Sequence, residues 1–267
     1  MRKRRPPISA SAAGGEGKSS PRHGLARVLS KSGVCSRSRA QEWIREGRVS
    51  VDGRVVRDPE SPTDSARARI AIDGVPLPAS ERVYLVLNKP RGVVVSAADE
   101  RERTTVYDLL KQAGLPWLAP VGRLDKASEG LLLLGNDPEW AARITDPGSH
   151  LPKTYHVQVC GVPDAQAIAR LRAGVLDRGE MLGARSVDLL RAGEKNAWLE
   201  FVLDQGRNRQ IRRMLAAQDF EVLRLIRVAI GPLALGELAK GAWRRLSAAE
   251  IAALAPHSGR LTPSVDR

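Results

Sequence analysis

Residues 24–75 have the hydrophobic pattern of two short helices followed by a small sheet. The apolar positions of the first helix, which Gly33 ends, are Leu25, Val28 and Leu29. Ser36 can cap a second helix that runs to residue 46, and the inner face of that helix consists of Ala40, Trp43 and Ile44. Alternating residues then predict strands at 48–51, 54–56 and 69–72, with Asp-Gly turns after the first and the third.

Residues 81–254 follow a polar break at 76–80 and carry a longer mixture of strand and helix patterns. Strands are predicted at residues 84–87, 131–134, 154–159, 198–202 and 222–228. Helices are predicted at residues 106–112, 164–173 and 210–217, and Asp137 is interpreted as a turn residue. Because these elements do not alternate regularly, we predict an α+β domain with a mainly antiparallel sheet and flanking helices.

The two ends of the chain contain too few apolar residues to build a core. Residues 1–23 are rich in Pro, Gly, Ser and Ala and mainly basic, which predicts a disordered basic arm, and residues 255–267 predict a disordered tail. No stretch approaches the roughly 20 apolar residues of a membrane helix. Pro6 and Pro7 follow the basic start, where a secretion signal would have an apolar segment. We therefore expect a cytoplasmic protein that does not contact membranes.

The charge balance indicates a polyanionic partner. The chain has 43 Lys and Arg against 30 Asp and Glu, a net charge of +13, which favours nucleic acid over a membrane surface. The polar face of the second helix and its C-terminal flank carry Arg37, Arg39, Arg45 and Arg48. Because acidic residues are sparse on this face, contact with phosphates is favoured over internal ion pairs. The two cysteines form no CxxC pair, so neither a metal site nor a disulfide framework is predicted.

A lone carboxylate, Asp125, lies in a polar loop directly before the apolar strand at 131–134. Gly122 and Gly130 flank this loop, and glycines there permit the close approach of another backbone or of a substrate. Spacing alone favours a turn residue paired with Arg123 over a reactive carboxylate.

A second dense polar stretch, residues 205–214, leads through a glycine turn into the helix predicted at 210–217. Its four arginines are Arg207, Arg209, Arg212 and Arg213. Because these cations repel one another, an RNA phosphate or a buried carboxylate is expected among them. Between the two polar stretches, Lys153 and Tyr155 open a strand. By itself, Tyr155 fits an ordinary half-buried strand aromatic as well as a functional residue.

Several motifs together resemble a known family of enzymes. Residues 25–53 resemble the S4-like RNA-binding domain, also called the alpha-L motif, most clearly at 33–37 and 47–53. Five later stretches resemble, in order and spacing, the RsuA-like ribosomal branch of the pseudouridine synthases: residues 88–92, 122–125, 153–155, 206–214 and 224–227. The resemblance covers residues 25–254. Ser128, Gly135 and Gln205 depart from the residues common in that family, and none of them occupies the position of its nucleophile.

The resemblance implies an enzyme that detaches uracil from its ribose at N1, turns it and rejoins it through C5, without a cofactor. Asp125 takes the position of the family's nucleophile, which attacks either the ribose C1′ or the uracil ring, and Arg212 takes the position that pairs with it. Tyr155 is then expected to stack on the extruded uracil. The other residues expected to contact the substrate are Arg123, Lys153, Arg207, Arg209 and Leu225, with Arg213 as a further RNA contact.

Ribosomal RNA is the expected partner of a monomeric chain. The large subunit is preferred over the small one because of the 224–227 motif and the long basic extension. Two other classes of protein stay open. A non-catalytic RNA-binding or ribosome-assembly protein would use the same basic surfaces. A hydrolase would need a second carboxylate beside Asp125, and no other acid lies in a comparable glycine-framed loop.

Overall fold

The computed structural model describes residues 23–65, 67–77, 81–96 and 103–255. The arm predicted at 1–23 and the tail predicted at 255–267 lie outside these residues except at their inner ends. There, His23 forms a short strand and Ala255 is buried, so each ordered region extends one residue further than expected. Within the described residues, no helix is long and apolar enough to cross a membrane.

Residues 23–77 form two helices and two small sheets. The helices are α1 (Leu25–Lys31) and α2 (Arg37–Arg45), and the strands are β1 (His23–Gly24), β2 (Val49–Val51), β3 (Arg54–Val55), β4 (Pro62–Thr63), β5 (Ile70–Ile72) and β6 (Val75–Pro76). The Ser36 hydroxyl accepts a hydrogen bond from the Arg39 N–H at 3.1 Å, which confirms the predicted cap of α2. Ala40 and Ile44 of α2 are completely buried against α1.

Residues 81–255 are organised by a nine-stranded sheet in the described part of the chain. The strands are β7 (Tyr84–Lys89), β8 (Ala119–Val121), β9 (Glu129–Gly135), β10 (Lys153–Cys160), β11 (Val175–Asp177), β12 (Glu180–Leu182), β13 (Ser186–Ala192), β14 (Asn196–Leu203), β15 (Val222–Ile230), β16 (Leu233–Ala234) and β17 (Trp243–Arg245). The helices are α3 (Pro138–Thr145), α4 (Ala165–Ala173), α5 (Gln210–Ala216) and α6 (Ala248–Leu254), with a single 3-10 turn at Pro147–Ser149. Strands β11 and β12 form a separate hairpin.

The spatial order of the main strands is β13-β14-β10-β15-β9-β7-β17, with β8 beside β9 and β16 beside β15. Among the described residues, all pairings in this sheet between named strands are antiparallel except that of β9 with β15. The predicted α+β class with a mainly antiparallel sheet is therefore confirmed. Strand β14 alternates between buried and half-buried residues because Leu199 and Phe201 pack with Leu171 of α4 and Met214 of α5.

The prediction of a helix at residues 106–112 is wrong, because this segment is a series of tight turns. The Asp108 carboxylate accepts hydrogen bonds from the Thr105 N–H at 2.6 Å and from the Thr105 hydroxyl at 3.0 Å, which closes the first turn. Val106 and Leu110 are nevertheless buried. The apolar spacing that resembled a helix therefore reflects the packing of a loop.

Asp137, interpreted from the sequence as a turn residue, caps helix α3. Its Oδ1 accepts hydrogen bonds from the N–H groups of Glu139 at 3.0 Å and Trp140 at 3.2 Å. The Tyr84 hydroxyl donates to its Oδ2 at 2.8 Å, which ties the start of α3 to strand β7. Pro138 suits the first helical position because the N–H that it lacks would have no partner there.

Gly130 sets the distance between β9 and β15. Its φ of +101° is a backbone conformation that residues other than glycine rarely adopt, and a Cβ built on it would collide with the Arg227 carbonyl oxygen. At this point the strands run parallel, with Glu129 opposite Ile226 and Gly130 opposite Arg227. The close contact therefore requires glycine on the β9 side.

We expect Gly130→Ala to lower the free energy of unfolding of the full chain by about 3 kcal/mol or more, because the added methyl group meets backbone atoms. Gly92→Ala is the matched control, since Gly92 also has a positive φ of +90° but nothing within 4 Å of an added Cβ. The control should cost only roughly 1–2 kcal/mol. Urea denaturation measures both losses, and equal values would contradict the crowding at Gly130.

Candidate active site

A cavity of about 440 Å³ opens where several segments of the larger domain meet. Most of its lining comes from the loop before β9, the start of β10, the loop that leads into α5, and strand β15, and the ends of α3 and β14 complete it. The residues predicted from the sequence to act in catalysis or to contact the substrate all line it: Asp125, Tyr155, Arg212, Arg123, Lys153, Arg207, Arg209 and Leu225. Its volume and its mixture of polar and apolar walls suit a small organic group such as a nucleoside.

The Asp125 carboxylate lines the cavity with 37% of its side-chain surface exposed. Its Oδ2 lies 3.4 Å from Nη1 of Arg209. Main-chain hydrogen bonds hold the loop that carries it: the Ser128 N–H donates to the Asp125 carbonyl at 2.9 Å, and the Gly92 N–H donates to the Lys126 carbonyl at 2.8 Å. The backbone therefore anchors Asp125 while its carboxylate stays open to a ligand.

The resemblance implies that Arg212 pairs with Asp125. In the structure the ion-pair partner of Asp125 is Arg209 instead. Arg212 instead donates from Nη2 to the Ala127 carbonyl at 3.2 Å and from Nη1 to the Val222 carbonyl at 3.4 Å. Arg209 precedes α5 in a left-handed conformation, so its side chain reaches Asp125 from outside the helix. Arg212 belongs to the first turn of α5 and meets the main chain of the loop. Burial and the nearby Arg209 lower the pKa of Arg212, and Asp125 partly offsets this change.

Arg213 lies next to Arg212 in the sequence but ties α5 to the β11–β12 hairpin. Its Nε donates to Asp177 Oδ2 at 2.6 Å and its Nη1 to Glu180 Oε2 at 2.7 Å. Only 21% of its side chain is exposed. The resemblance implies that Arg213 contacts RNA, but in the structure it binds carboxylates of the protein itself. Successive residues of a helix point about 100° apart, and this arginine meets acidic partners within the protein.

Apolar groups form one wall of the cavity. Tyr155 is half-buried on β10 and packs both on the core beneath α4 and α5 and on the core around Leu124. Leu225 and Ile230 of β15 add aliphatic surface to the same cavity. Between Thr154 and Tyr155 the pairing of β10 with β15 shifts, and bulges of this kind redirect side chains. A flat heterocycle can therefore lie against this wall.

Lys89 is a site residue that the interpretation of the sequence missed. Its side chain is completely buried at the end of β7, and its Nζ donates to the carbonyls of Ser128 at 2.8 Å and Pro90 at 3.0 Å. Burial lowers the pKa of Lys89 to about 8, although Glu129 and Asp125 act in the opposite direction. Lys89 thus holds the far end of the Asp125 loop. Lys89 lies in the 88–92 motif, but a lysine after an apolar strand is more typical of a solvated side chain, and the motif alone gives it no role.

Arg227 is a second missed residue. Its side chain lines the cavity although it is only 5% exposed, and its Nε donates to the Leu131 carbonyl at 2.7 Å. Its Nη2 is buried and has no hydrogen-bond partner among the described residues. Because an unpaired buried donor is costly, an oxygen of a bound ligand is its natural partner.

The arginines of the small N-terminal domain have more acidic neighbours than the sequence indicates. The ion pairs are Arg37–Glu60 at 3.2 Å, Arg39–Glu42 at 2.8 Å and Arg48–Asp73 at 2.6 Å. The expectation of sparse acids is wrong for these pairs, because Glu42 lies on α2 itself, three residues after Arg39, and Glu60 and Asp73 come from segments that fold back beside α2. Within the described chain, no acidic side chain pairs with the exposed Arg45.

The acids and possible metal ligands of the site limit its chemistry. Of the described residues that line the cavity, only Asp125 is acidic. A hydrolase of the glycosidase type needs two carboxylates that flank the bond it cleaves, so the geometry does not support that alternative. No cluster of three or more His, Cys, Asp or Glu that could hold a metal occurs in the part of the chain that the structure describes.

Comparison with known proteins decides between the remaining alternatives. A family model described as RNA pseudouridylate synthase matches residues 83–217, and a model of the S4 domain matches residues 24–64. The chain belongs to the RNA pseudouridylate synthase family. This membership confirms the resemblance found in the motifs, the S4 domain in front of the synthase domain, and the class of enzyme, an isomerase.

Relatives of this synthase align over most of their own length. An uncharacterised RNA pseudouridine synthase of Aquifex aeolicus is 37% identical over 230 residues, which cover 85% of this chain and 92% of that protein. The ribosomal large subunit pseudouridine synthase B of Bacillus subtilis is 36% identical over 239 residues, which cover 87% of this chain and 97% of that protein. A crystal structure of a pseudouridylate synthase matches with a TM-score of 0.60 and 32% identity, over 88% of this chain and 100% of that one.

Lys89 should make the stability of this synthase rise with pH. Its folded pKa of about 8 lies below the ordinary value of 10.5. Between these values the unfolded state binds more protons, so folding becomes more favourable as the pH increases. From pH 8 to 10, the free energy of unfolding of the wild-type chain should rise by about 2 kcal/mol relative to Lys89→Met, which does not titrate. Urea denaturation in this window measures the difference, and a constant difference would contradict the burial of the Lys89 ammonium.

Proposed function

We propose that this synthase converts a specific uridine of large-subunit ribosomal RNA into pseudouridine, with Asp125 as the nucleophile and without a cofactor. The observation that carries the proposal is the position of a single carboxylate, Asp125, in a nucleoside-sized cavity beside Tyr155, Arg209 and Arg212. The Bacillus subtilis relative is named for the large ribosomal subunit, and its 36% identity over 239 residues supports the same class of RNA.

The reaction replaces the N1–C1′ bond of uridine with a C5–C1′ bond. The proton on C5 is released and N1 gains a proton, so the conversion is an isomerisation without net oxidation or reduction. Asp125 attacks either the ribose C1′, which displaces N1, or the uracil ring, and both routes need an ionised carboxylate. Among the described contacts, only Oδ2 of Asp125 is paired, with Arg209. This leaves Oδ1 free to react.

The target uridine must leave its stack before Asp125 can reach it. Tyr155 and Leu225 offer apolar surface to the extruded uracil, and Arg123 and Lys153 lie at the same cavity for the ribose and its phosphates. The unpaired Nη2 of Arg227 then donates to an oxygen of the bound nucleotide. Holding the nucleotide in one orientation lowers the barrier because the reacting atoms meet without further search.

Replacing Asp125 with Asn should reduce pseudouridine formation by roughly 10³-fold or more, because the amide cannot serve as the nucleophile. RNA affinity should stay within a few-fold, since many Lys and Arg share the binding. Tritium release or mass spectrometry on a large-subunit ribosomal RNA transcript measures turnover, and filter retention measures binding.

Asp204→Asn is the matched control for this variant. The Asp204 carboxylate is also partly exposed and paired with an arginine, Arg185 at 3.5 Å, but it does not line the cavity. The control should keep wild-type turnover. Measurable turnover by pure Asp125→Asn enzyme would show that Asp125 is not the nucleophile. If neither the variants nor the wild-type chain modifies the RNA, the result would favour a protein that only binds RNA.

Arg45→Ala in the S4 domain should weaken RNA binding uniformly across sequences and lower the slope of log affinity against log salt by about 0.7–0.9. The reason is that Arg45 is exposed on α2 without an acidic partner in the described chain, so it is available to a phosphate. Arg244→Ala is the control, because Arg244 is bound bidentately by Glu250. An unchanged salt slope for Arg45→Ala would mean that this face of α2 does not meet RNA.

A further inference from the structure

The β11–β12 hairpin displays two large apolar side chains to solvent. Leu176 is 64% exposed and Met181 is 60% exposed. They are direct cross-strand partners, so their side chains lie on one face of the hairpin. The next pair along the strands, Val175 and Leu182, is buried 94% or more in the core beneath α4 and α5. The hairpin thus has one face that stabilises the fold and one apolar face without a partner in the described chain.

The hairpin is held firmly to the rest of the domain. Its third cross-strand pair is Asp177 and Glu180. These two carboxylates accept hydrogen bonds of 2.6 Å and 2.7 Å from the guanidinium of Arg213 on α5. Both carboxylates are therefore neutralised within the protein, and Glu180 also accepts a bond from Arg207 at 2.8 Å. The hairpin that presents the apolar face is consequently tied to α5 by ion pairs.

Two further hydrogen bonds place the hairpin at the rim of the cavity around Asp125. Arg207, which lines that cavity, donates to the Met181 carbonyl at 2.9 Å. Gln210, another lining residue, donates to the Gly183 carbonyl at 2.6 Å, just beyond β12. A nucleotide chain that delivers one uridine into the cavity therefore has the hairpin among the surfaces nearest to it.

The tip of the hairpin adds an unpaired positive charge. Arg178 and Gly179 form the two-residue turn, with φ values of +52° and +78°, a conformation that favours Asn or Gly at both positions. Arg178 is exposed, and no acidic side chain pairs with it in the part of the chain that the structure describes. An apolar pair next to a free guanidinium matches a nucleotide, which offers a flat base beside a phosphate.

We propose that this hairpin is an RNA-contacting element for the nucleotides that flank the target uridine. Leu176 and Met181 pack on a neighbouring base that loses its stacking partner when the uridine is extruded, and Arg178 binds an adjacent phosphate. The inference rests on the proposed function and deepens it, because it assigns a contact outside the cavity that would help to keep the uridine out of its stack. RNA is favoured over a protein partner because the hairpin that carries the face is bonded to two residues of the cavity wall, Arg207 and Gln210, and because Arg178 offers a positive charge to a phosphate.

The double variant Leu176→Ala with Met181→Ala tests the apolar contact in the full chain. Under single-turnover conditions with a large-subunit ribosomal RNA transcript, the enzyme concentration for half-maximal rate should rise about tenfold, while the rate at saturation changes less than threefold. Leu189→Ala with Leu190→Ala is the matched control. These leucines of β13 are 43% and 45% exposed and do not line the cavity, so both parameters should stay at wild-type values.

Cross-linking gives a second readout that does not depend on activity. A photoreactive p-benzoylphenylalanine in place of Leu176 should cross-link to nucleotides within a few positions of the modified uridine, and the same group in place of Leu190 should not. Parameters within twofold of wild type together with no excess of cross-links at Leu176 would overturn the inference.

The remaining outcomes separate this inference from the proposed function. If the double variant changes the sedimentation of the chain without RNA, the apolar face joins two copies and the inference is wrong. If the wild-type chain makes no pseudouridine in ribosomal RNA, the proposed function fails, and the RNA contact fails with it unless the Leu176 cross-link to that RNA forms. Failure of the inference alone leaves wild-type turnover intact.

Discussion

Strands β9 and β15 run side by side so closely at Gly130 that the Arg227 carbonyl occupies the space of a Cβ atom. This contact belongs to the only parallel pairing among the described strands of the large sheet, and Gly130 follows Asp125 by five residues. Because this contact fixes β9 relative to β15, the loop at 122–128 that precedes β9 lies against β15 and the start of α5. Those two elements supply the arginines and the apolar wall of the cavity, so the site exists only where the two strands meet.

Two cations hold the same loop by its main chain. Lys89 donates to the Ser128 carbonyl from β7, and Arg212 donates to the Ala127 carbonyl from α5. Burying these charges opposes folding, and bonds to carbonyl oxygens offset part of that cost. Because both cations bind backbone atoms, the Asp125 carboxylate is left to Arg209 and to the substrate. The result is a fixed carboxylate within a positively charged cavity, which also attracts the phosphates of RNA.

Local signals in the sequence predict much of the fold. The cap at Ser36, the strand at 198–202 and the close backbone approach at Gly130 each depend on neighbours in the chain, and each prediction agrees with the structure. The residues that the motifs assign to catalysis and to substrate contact also lie together around one cavity. Long-range pairing is what the sequence does not reveal. Arg213 forms ion pairs with acidic residues 36 and 33 positions earlier in the chain, and no local pattern distinguishes it from Arg209. The helix predicted at 106–112 is wrong for a related reason, since the burial of a loop can produce helical spacing of apolar residues without a helix.

A nucleotide-by-nucleotide map of pseudouridine in ribosomal RNA tests most directly whether the cavity around Asp125 isomerises a uridine of the large subunit. The map is made for a strain that lacks this chain and for its parent. We expect the mutant strain to lack pseudouridine at one or a few positions of the large-subunit RNA, with all other positions unchanged and the loss repaired by the wild-type gene. Identical maps for the two strains, or a loss confined to RNA outside the large subunit, would contradict the proposed substrate.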